Sequence, residues 1–478
     1  MSVKNDTGVP LSVDSQAVEN GWPQLKSQRS WGPFAVFSTS VSTAIATWCF
    51  IIGGMTAYYL PAGQGTLAIL AGSLIGILFI VLSCLPLSAK YGIDAVSGSV
   101  PQLGTRGSRL SVVLIFLATL GWNVYLFVLL GRAMVSIGGA FGLQLPDWSV
   151  GAAGALAVLV VVVMLRKGSA SVRNFSQFVA IAVLILAFVI MGVLINSVGL
   201  NALLTAPAIA PAEDARLNWT SAMEVLIASN LSWWAYTGAM VRNSPSTRKS
   251  LWPVVFGLGL AVGVGSLTGL YGGLLIPESG GDPTQFLVQI GGPVFGILAL
   301  AFIVLANVGT AVVGVYAATV AVRQLPVVRK RSWMFSTWLS ALPALILVGF
   351  FSDTVFDNFG TFLAFLGIAF APICGIQIMD YFFLRRQRYD VRSLFEHTAS
   401  SHYHYWGGVN LVALAAFAAG VITYLYLLDP VTYTSRAPFQ YTTATIPTVI
   451  VSGLVYWLGT RFILRPLGKG GYTAKARK

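Results

Sequence analysis

Apolar residues along this 478-residue chain come in long runs separated by short polar segments. Each run approaches the about 20 residues that a helix needs to cross a hydrocarbon core roughly 30 Å thick. Twelve runs lie at 33–60, 66–88, 108–140, 149–165, 174–197, 218–241, 251–276, 292–322, 332–351, 356–384, 406–428 and 440–463. The pattern predicts an all-α polytopic membrane protein with twelve transmembrane helices. Residues 1–32 are polar, without an apolar core or a cleavage site, so the first span is expected to act as the insertion signal behind an N-terminal tail.

Composition removes the soluble alternative, because 56% of residues are hydrophobic and only 9% are charged, against about 25% in soluble domains. A net charge of +13 raises the question of nucleic-acid binding, and the placement of the cations answers it. With the N-terminus inside, 26 of the 29 Lys and Arg residues fall on the cytoplasmic side. Arg132 lies within span 3, and the outside loops hold Arg216 and Arg436 beside acids such as Asp147, Asp214, Asp282 and Asp429. Insertion explains this bias, so the partner implied is the lipid bilayer and not nucleic acid. Both termini are expected in the cytoplasm, with the chain in the cell (plasma or inner) membrane, and no obligate protein partner is implied.

The loops between runs are short, which leaves no soluble catalytic domain, so an enzyme is not expected. Cys49, Cys84 and Cys374 all sit in apolar runs and read as packing residues. His397, His402 and His404 share the loop between spans 10 and 11, but without Cys or carboxylate partners at ligand spacing they read as a solvated loop and not a metal site. The glycines between 257 and 269 follow no strand and precede no Lys, so they read as small residues that let helices approach closely.

Three spans carry polar patches where transporters keep sites lined by unwound backbone. Span 1 has STSVSTAIATW at 38–48, whose hydroxyl side chains compete for backbone hydrogen bonds and predict a broken helix. Span 6 has ASNLSWWAYTGAMVRN at 228–243, with Asn230 near mid-membrane. Span 8 has ANVGTAVVGVY at 306–316, with Asn307 and Thr310 one turn apart on one face. Spans 1 and 6 are five spans apart, as expected for two inverted repeats with broken first helices. A channel or sensor on the same fold is the alternative, and neither a charged ring nor a signalling domain is visible for it.

The stretch NFGTFLAFLGIAFAPICGIQIMDYFFLRRQRYD at 358–390 resembles the end of span 10 in the nucleobase–cation symporter-1 family. Similar too are AKYG at 89–92, GSRLSVVLIFLATLGW at 107–122, SWWAYTGAMVRN at 232–243, and Asn307, Thr310 and Tyr316 in span 8, with the cytosine permease-like branch the nearest. The resemblance implies a leucine-transporter type core of five plus five helices, broken in helices 1 and 6, and two helices beyond it. The first repeat then covers 33–197, the second 198–390, spans 11 and 12 lie in 391–463, and 464–478 forms a cytoplasmic tail. It implies import of a nucleobase-like or related small heterocycle by alternating access, driven by sodium or protons, with uncoupled transport also open and no cofactor beyond the coupling ion.

Carried over by residue, the resemblance makes Trp122 the stacking surface for a planar substrate, with Thr43, Thr119, Asn230, Ser232, Trp233 and Asn307 as further substrate-site positions. Thr119 stands where cytosine permeases carry Gln, Val312 and Gly314 replace polar groups, and Ala239 replaces an Asp, which points to a substrate with fewer donors and acceptors or one read by different groups. The family's sodium ion maps to Thr39, Ser42, Asn307 and Thr310, with Ala311 where a second hydroxyl is usual. Glu224 is the one acid near a span interior that a proton route could use. The charge distribution predicts that a Cys placed near Asp429 reacts with an impermeant reagent added outside and one placed near Arg329 does not. The opposite labelling pattern would overturn orientation and span count together.

Overall fold

The computed structural model describes residues 22–396 and 398–472. The described residues form helices joined by turns and loops, with β pairing confined to isolated bridges at Trp406–Val409 and Leu428–Ser435. Span 1 is two helices, α1 (Pro33–Ala44) and α2 (Thr47–Tyr59), bent by 57° at the break. Then follow α3 (Ala62–Leu82), α4 (Cys84–Tyr91), α5 (Ala95–Leu103), α6 (Arg109–Ala140), α7 (Trp148–Met164) and α8 (Ser169–Val198). Span 6 comprises α9 (Ala215–Leu231) and α10 (Trp233–Val241). The long helices that follow are α11 (Thr247–Leu275), α12 (Pro283–Val322), α13 (Trp333–Asp357), α14 (Phe359–Leu384), α15 (Leu411–Leu427) and α16 (Thr445–Leu464), with short helical turns between some of them.

Helix occupies all twelve predicted runs, and by length and apolarity nine helices plus the bent α1–α2 pair qualify as membrane crossings among the described residues. Span 11 starts later than its apolar run at 406, because Gly407 and Gly408 adopt positive φ and Asn410 caps α15 through bonds from Val412 N and Ala413 N. Span 8 starts earlier, since Pro283 opens a helical stretch that kinks at Gly292 (φ 77°) before the apolar run. The polar patch breaks span 1 fully at Ile45 and Ala46, both extended. Span 6 is interrupted only at Ser232, which keeps right-handed helical dihedrals.

Spans 3 and 8 (α6 and α12) pack most extensively and form the axis of the core, while α8 and α13 turn bare apolar faces outward, with Phe188 and Phe350 strongly exposed as a lipid-facing surface requires. The glycine run does what its composition suggests. A Cβ on Gly269 would come within 1.7 Å of the Phe50 carbonyl, and one on Gly53 within 1.8 Å of the Ser266 carbonyl, so α2 and α11 touch backbone to backbone. Gly257 and Gly265 make room instead for side chains, those of Ser40 in α1 and Cys49 in α2. Gly269→Ala is therefore expected to destabilise by about 1–3 kcal/mol through overpacking, seen as a lower melting temperature in detergent. Gly192→Ala, with open space around it, should leave melting unchanged or slightly raised, and equal behaviour of the two variants would refute the close-contact account.

Candidate functional site

A break in mid-membrane leaves backbone groups without helical partners, and lipid offers none. Span 8 supplies them. The Thr310 hydroxyl lies 3.1 Å from the carbonyl oxygens of both Ser42 and Thr43, in the last turn of α1. One turn back, Asn307 Oδ1 accepts from Thr47 N at 3.0 Å and from the Thr47 hydroxyl at 2.9 Å, which caps the first turn of α2 from outside the helix. Two residues on one face of α12 thus hold both halves of span 1.

Beside this junction lies a cluster of aromatic rings. Trp48 of α2 meets Trp122 of α6 edge-on at 4.9 Å between centroids and Trp233 of α10 at 5.7 Å. Phe362 of α14 packs on Trp122 at 5.2 Å, and Tyr236 on Trp233 at 5.3 Å. A buried indole N–H needs an acceptor, and span 6 provides both. Trp122 Nε1 donates to Ser232 Oγ at 2.9 Å, and Trp233 Nε1 donates to Asn230 Oδ1 at 2.8 Å. Asn230 is held in turn by donating to Ser73 Oγ of α3 and to the Leu226 carbonyl. All three tryptophans are buried. An open apolar groove lined by Gly121, Tyr125, Thr361, Phe362 and Phe365 lies on the far side of Phe362 and includes none of the three tryptophans.

The structure brings Trp122, Ser232, Trp233 and Asn230 into one site and sets Thr310, Ser42, Thr43 and Asn307 against the span-1 break. Thr119 and Thr43 direct their hydroxyls to carbonyls of their own helices, Ile115 and Thr39, at 2.6 Å each, which leaves each oxygen free to accept. The hydroxyls of Thr39 and Ser42 are buried without a partner, as is Asn307 Nδ2. Trp234, one residue from Trp233, points elsewhere and donates to Gln377 at 2.7 Å. Sequence reasoning missed Trp48, Phe362 and Ser73, which gave no signal beyond being ordinary apolar or small span residues.

The other candidates are dispersed. His402 Nδ1 faces Asp390 at 3.4 Å, His404 Nδ1 is buried and unpartnered, and His397 lies outside the described residues. Glu224 accepts from Ala444 N, Thr445 N and the Thr445 hydroxyl, so it anchors the start of α16.

Residues 23–455 match the family model described as a permease for cytosine/purines, uracil, thiamine and allantoin. The chain belongs to this permease family. As permeases, its members are transport proteins of the membrane and not enzymes. A hydantoin permease of Microbacterium maritypicum is 44% identical over 61 residues, covering 13% of this chain and 12% of that protein. A purine–uracil permease of Arabidopsis thaliana is 26% identical over 261 residues, or 50% of this chain and 42% of that protein. The chain thus matches less than half the length of either curated relative.

The fold agrees with the permease assignment. A nucleobase–cation-symport-1 transporter, closed with bromovinylhydantoin bound, superposes with a TM-score of 0.78 at 20% identity, over 96% of this chain and 97% of that one. A sodium-coupled sialic acid symporter, substrate-bound and outward-open, gives 0.61 at 14% identity, over 91% of each chain. If Asn307 caps the second half of span 1, Asn307→Ala should lower stability by about 1–2 kcal/mol, the usual scale for a lost cap. An unchanged melting temperature would show that the break is held by other contacts.

Proposed function

We propose that this permease is a secondary active transporter that imports a planar, nucleobase-like heterocycle by alternating access, coupled to a cation. The observation that carries this reading is the juxtaposition of the three-tryptophan cluster with the oxygen-lined break of span 1. Flat rings of Trp122, Trp233 and Trp48 suit a flat substrate, because stacking supplies contact area without placing charge in the membrane. Ser232 and Asn230 set the planes of the rings, while Thr119 and Thr43 offer acceptor oxygens for substrate N–H groups. The bromovinylhydantoin-bound transporter and the purine–uracil permease support the same substrate class. In this reading residues 33–197 and 198–390 are the two inverted repeats, and both termini are cytoplasmic.

The residues at the break fit a sodium ion, since two α1 carbonyls and the Thr310 hydroxyl already converge and the buried Ser42 hydroxyl lacks a partner. The α1 C-terminus adds the negative end of its dipole. Ala311 supplies no oxygen, so the affinity should be low. Sodium is favoured over a proton route through Glu224, whose carboxylate is engaged by three donors at the start of α16.

Trp122→Ala should weaken heterocycle binding by about 1–3 kcal/mol, the scale of base–aromatic stacking, with Trp122→Phe milder. Binding can be read by thermal shift against nucleobases and hydantoins. Normal affinity in both variants, with equal loss of folded protein, would reduce Trp122 to packing. Sodium should raise the melting temperature only at high concentration. Thr310→Ala should abolish the rise and Ala311→Thr strengthen it. Uptake into proteoliposomes that ignores a sodium gradient, with no sodium-dependent shift in the parent or in Ala311→Thr, would remove sodium from the mechanism.

A further inference from the structure

Far from the tryptophans, where the chain enters α6, a pocket of about 250 Å³ opens between the 96–112 segment, residues 324–329 and Leu394–Phe395. Arg106, Arg109 and Arg329 line it together with Thr105 and Ser108. Among the described residues none of these three arginines has a salt bridge or a side-chain hydrogen bond; Arg329 lies over the Trp22 ring at 5.9 Å. Asp94, on the turn before Ser97, does not neutralise them. Its oxygens accept from Ser97 N and Gln324 Nε2, and Arg242 lies 3.6 Å away.

The positive-inside bias explains why cations occur at this end of the molecule. It does not explain why three converge on one concavity, nor why Thr105 there is buried, with 6% of its surface exposed, and its hydroxyl has no partner among the described residues. A buried hydroxyl without a partner is costly unless something supplies the bond. The pocket also faces the N-terminal end of the 32-residue helix α6, whose dipole favours negative charge. Guanidinium groups match the geometry of phosphate oxygens, and a hydroxyl donates to one more.

We propose that this pocket binds a phosphate group, held by Arg106, Arg109 and Arg329 and by the Thr105 hydroxyl. The group can belong to a free cytosolic phosphate or to the headgroup of an anionic lipid. Bound there, it ties the start of span 3 to the end of span 8, the two helices that form the axis of the core.

The full chain in detergent is titrated with inorganic phosphate, followed by melting temperature, with sodium chloride at matched ionic strength as reference. A parallel set of nanodiscs compares phosphatidylglycerol with phosphatidylcholine. A saturable rise with phosphate beyond that with chloride identifies the free anion; a rise only with phosphatidylglycerol identifies the lipid. In either arm Arg109→Gln and Arg329→Gln should each weaken the effect about tenfold. Thr105→Val should weaken it without changing charge, and Arg248→Gln, a cytoplasmic cation outside the pocket, should not. No rise in either arm, an equal loss in Arg248→Gln, or undiminished affinity in Thr105→Val would overturn the proposal.

Discussion

A helix can be interrupted inside a membrane only if other groups take over the hydrogen bonds that the interruption releases. In this permease one face of span 8 does so. Thr310 engages the last carbonyls of α1 and Asn307 the first N–H of α2, so both ends of the break are satisfied by side chains one helical turn apart. The position of Trp48, just inside α2, follows from that arrangement, and so does the convergence of oxygens proposed to hold the coupling ion. The junction thereby sets the relative placement of the ring cluster and the proposed cation position.

Much of this was legible in the amino-acid order. The apolar runs located the helices because a membrane span must be both long and apolar, and the hydroxyl-rich 38–48 segment marked the break because its side chains compete with helical hydrogen bonding. The pairing of Asn307 with Thr310 was visible as spacing. Its partners were not, since which backbone groups face a span-8 side chain depends on helix rotation and tilt, and neither leaves a local pattern. Trp48 escaped for the same reason: nothing in one sequence distinguishes a tryptophan facing a site from one facing lipid. The start of span 11 was misplaced because apolarity continues through Trp406, while the backbone there is set by Gly407 and Gly408.

The site's polar residues work mainly on other protein groups. Asn230 and Ser232 fix two indoles, and Ser73 fixes Asn230 while donating to the Gly259 carbonyl. What remains for a ligand are the Thr119 and Thr43 hydroxyl oxygens and buried groups without partners such as Tyr236 Oη, Asn123 Oδ1 and Asn307 Nδ2. In the proposed reading, ring shape and stacking area act beside these groups, while Ala239, Val312 and Gly314 add no polar group of their own.

The glycine contacts between α2 and α11 have a mechanical side. At Gly53 and Gly269 no side chain lies between the two backbones, and Gly54 touches the loop at Gly280 and Gly281 just as closely. A joint without intervening side chains has no rotamers through which to yield, so it resists shear. α2, α11 and that loop thus form one closely packed unit. Asp282, next in the loop, lies 3.5 Å from Arg132 of span 3. A displacement of α2 would therefore carry through the loop to that ion pair on α6.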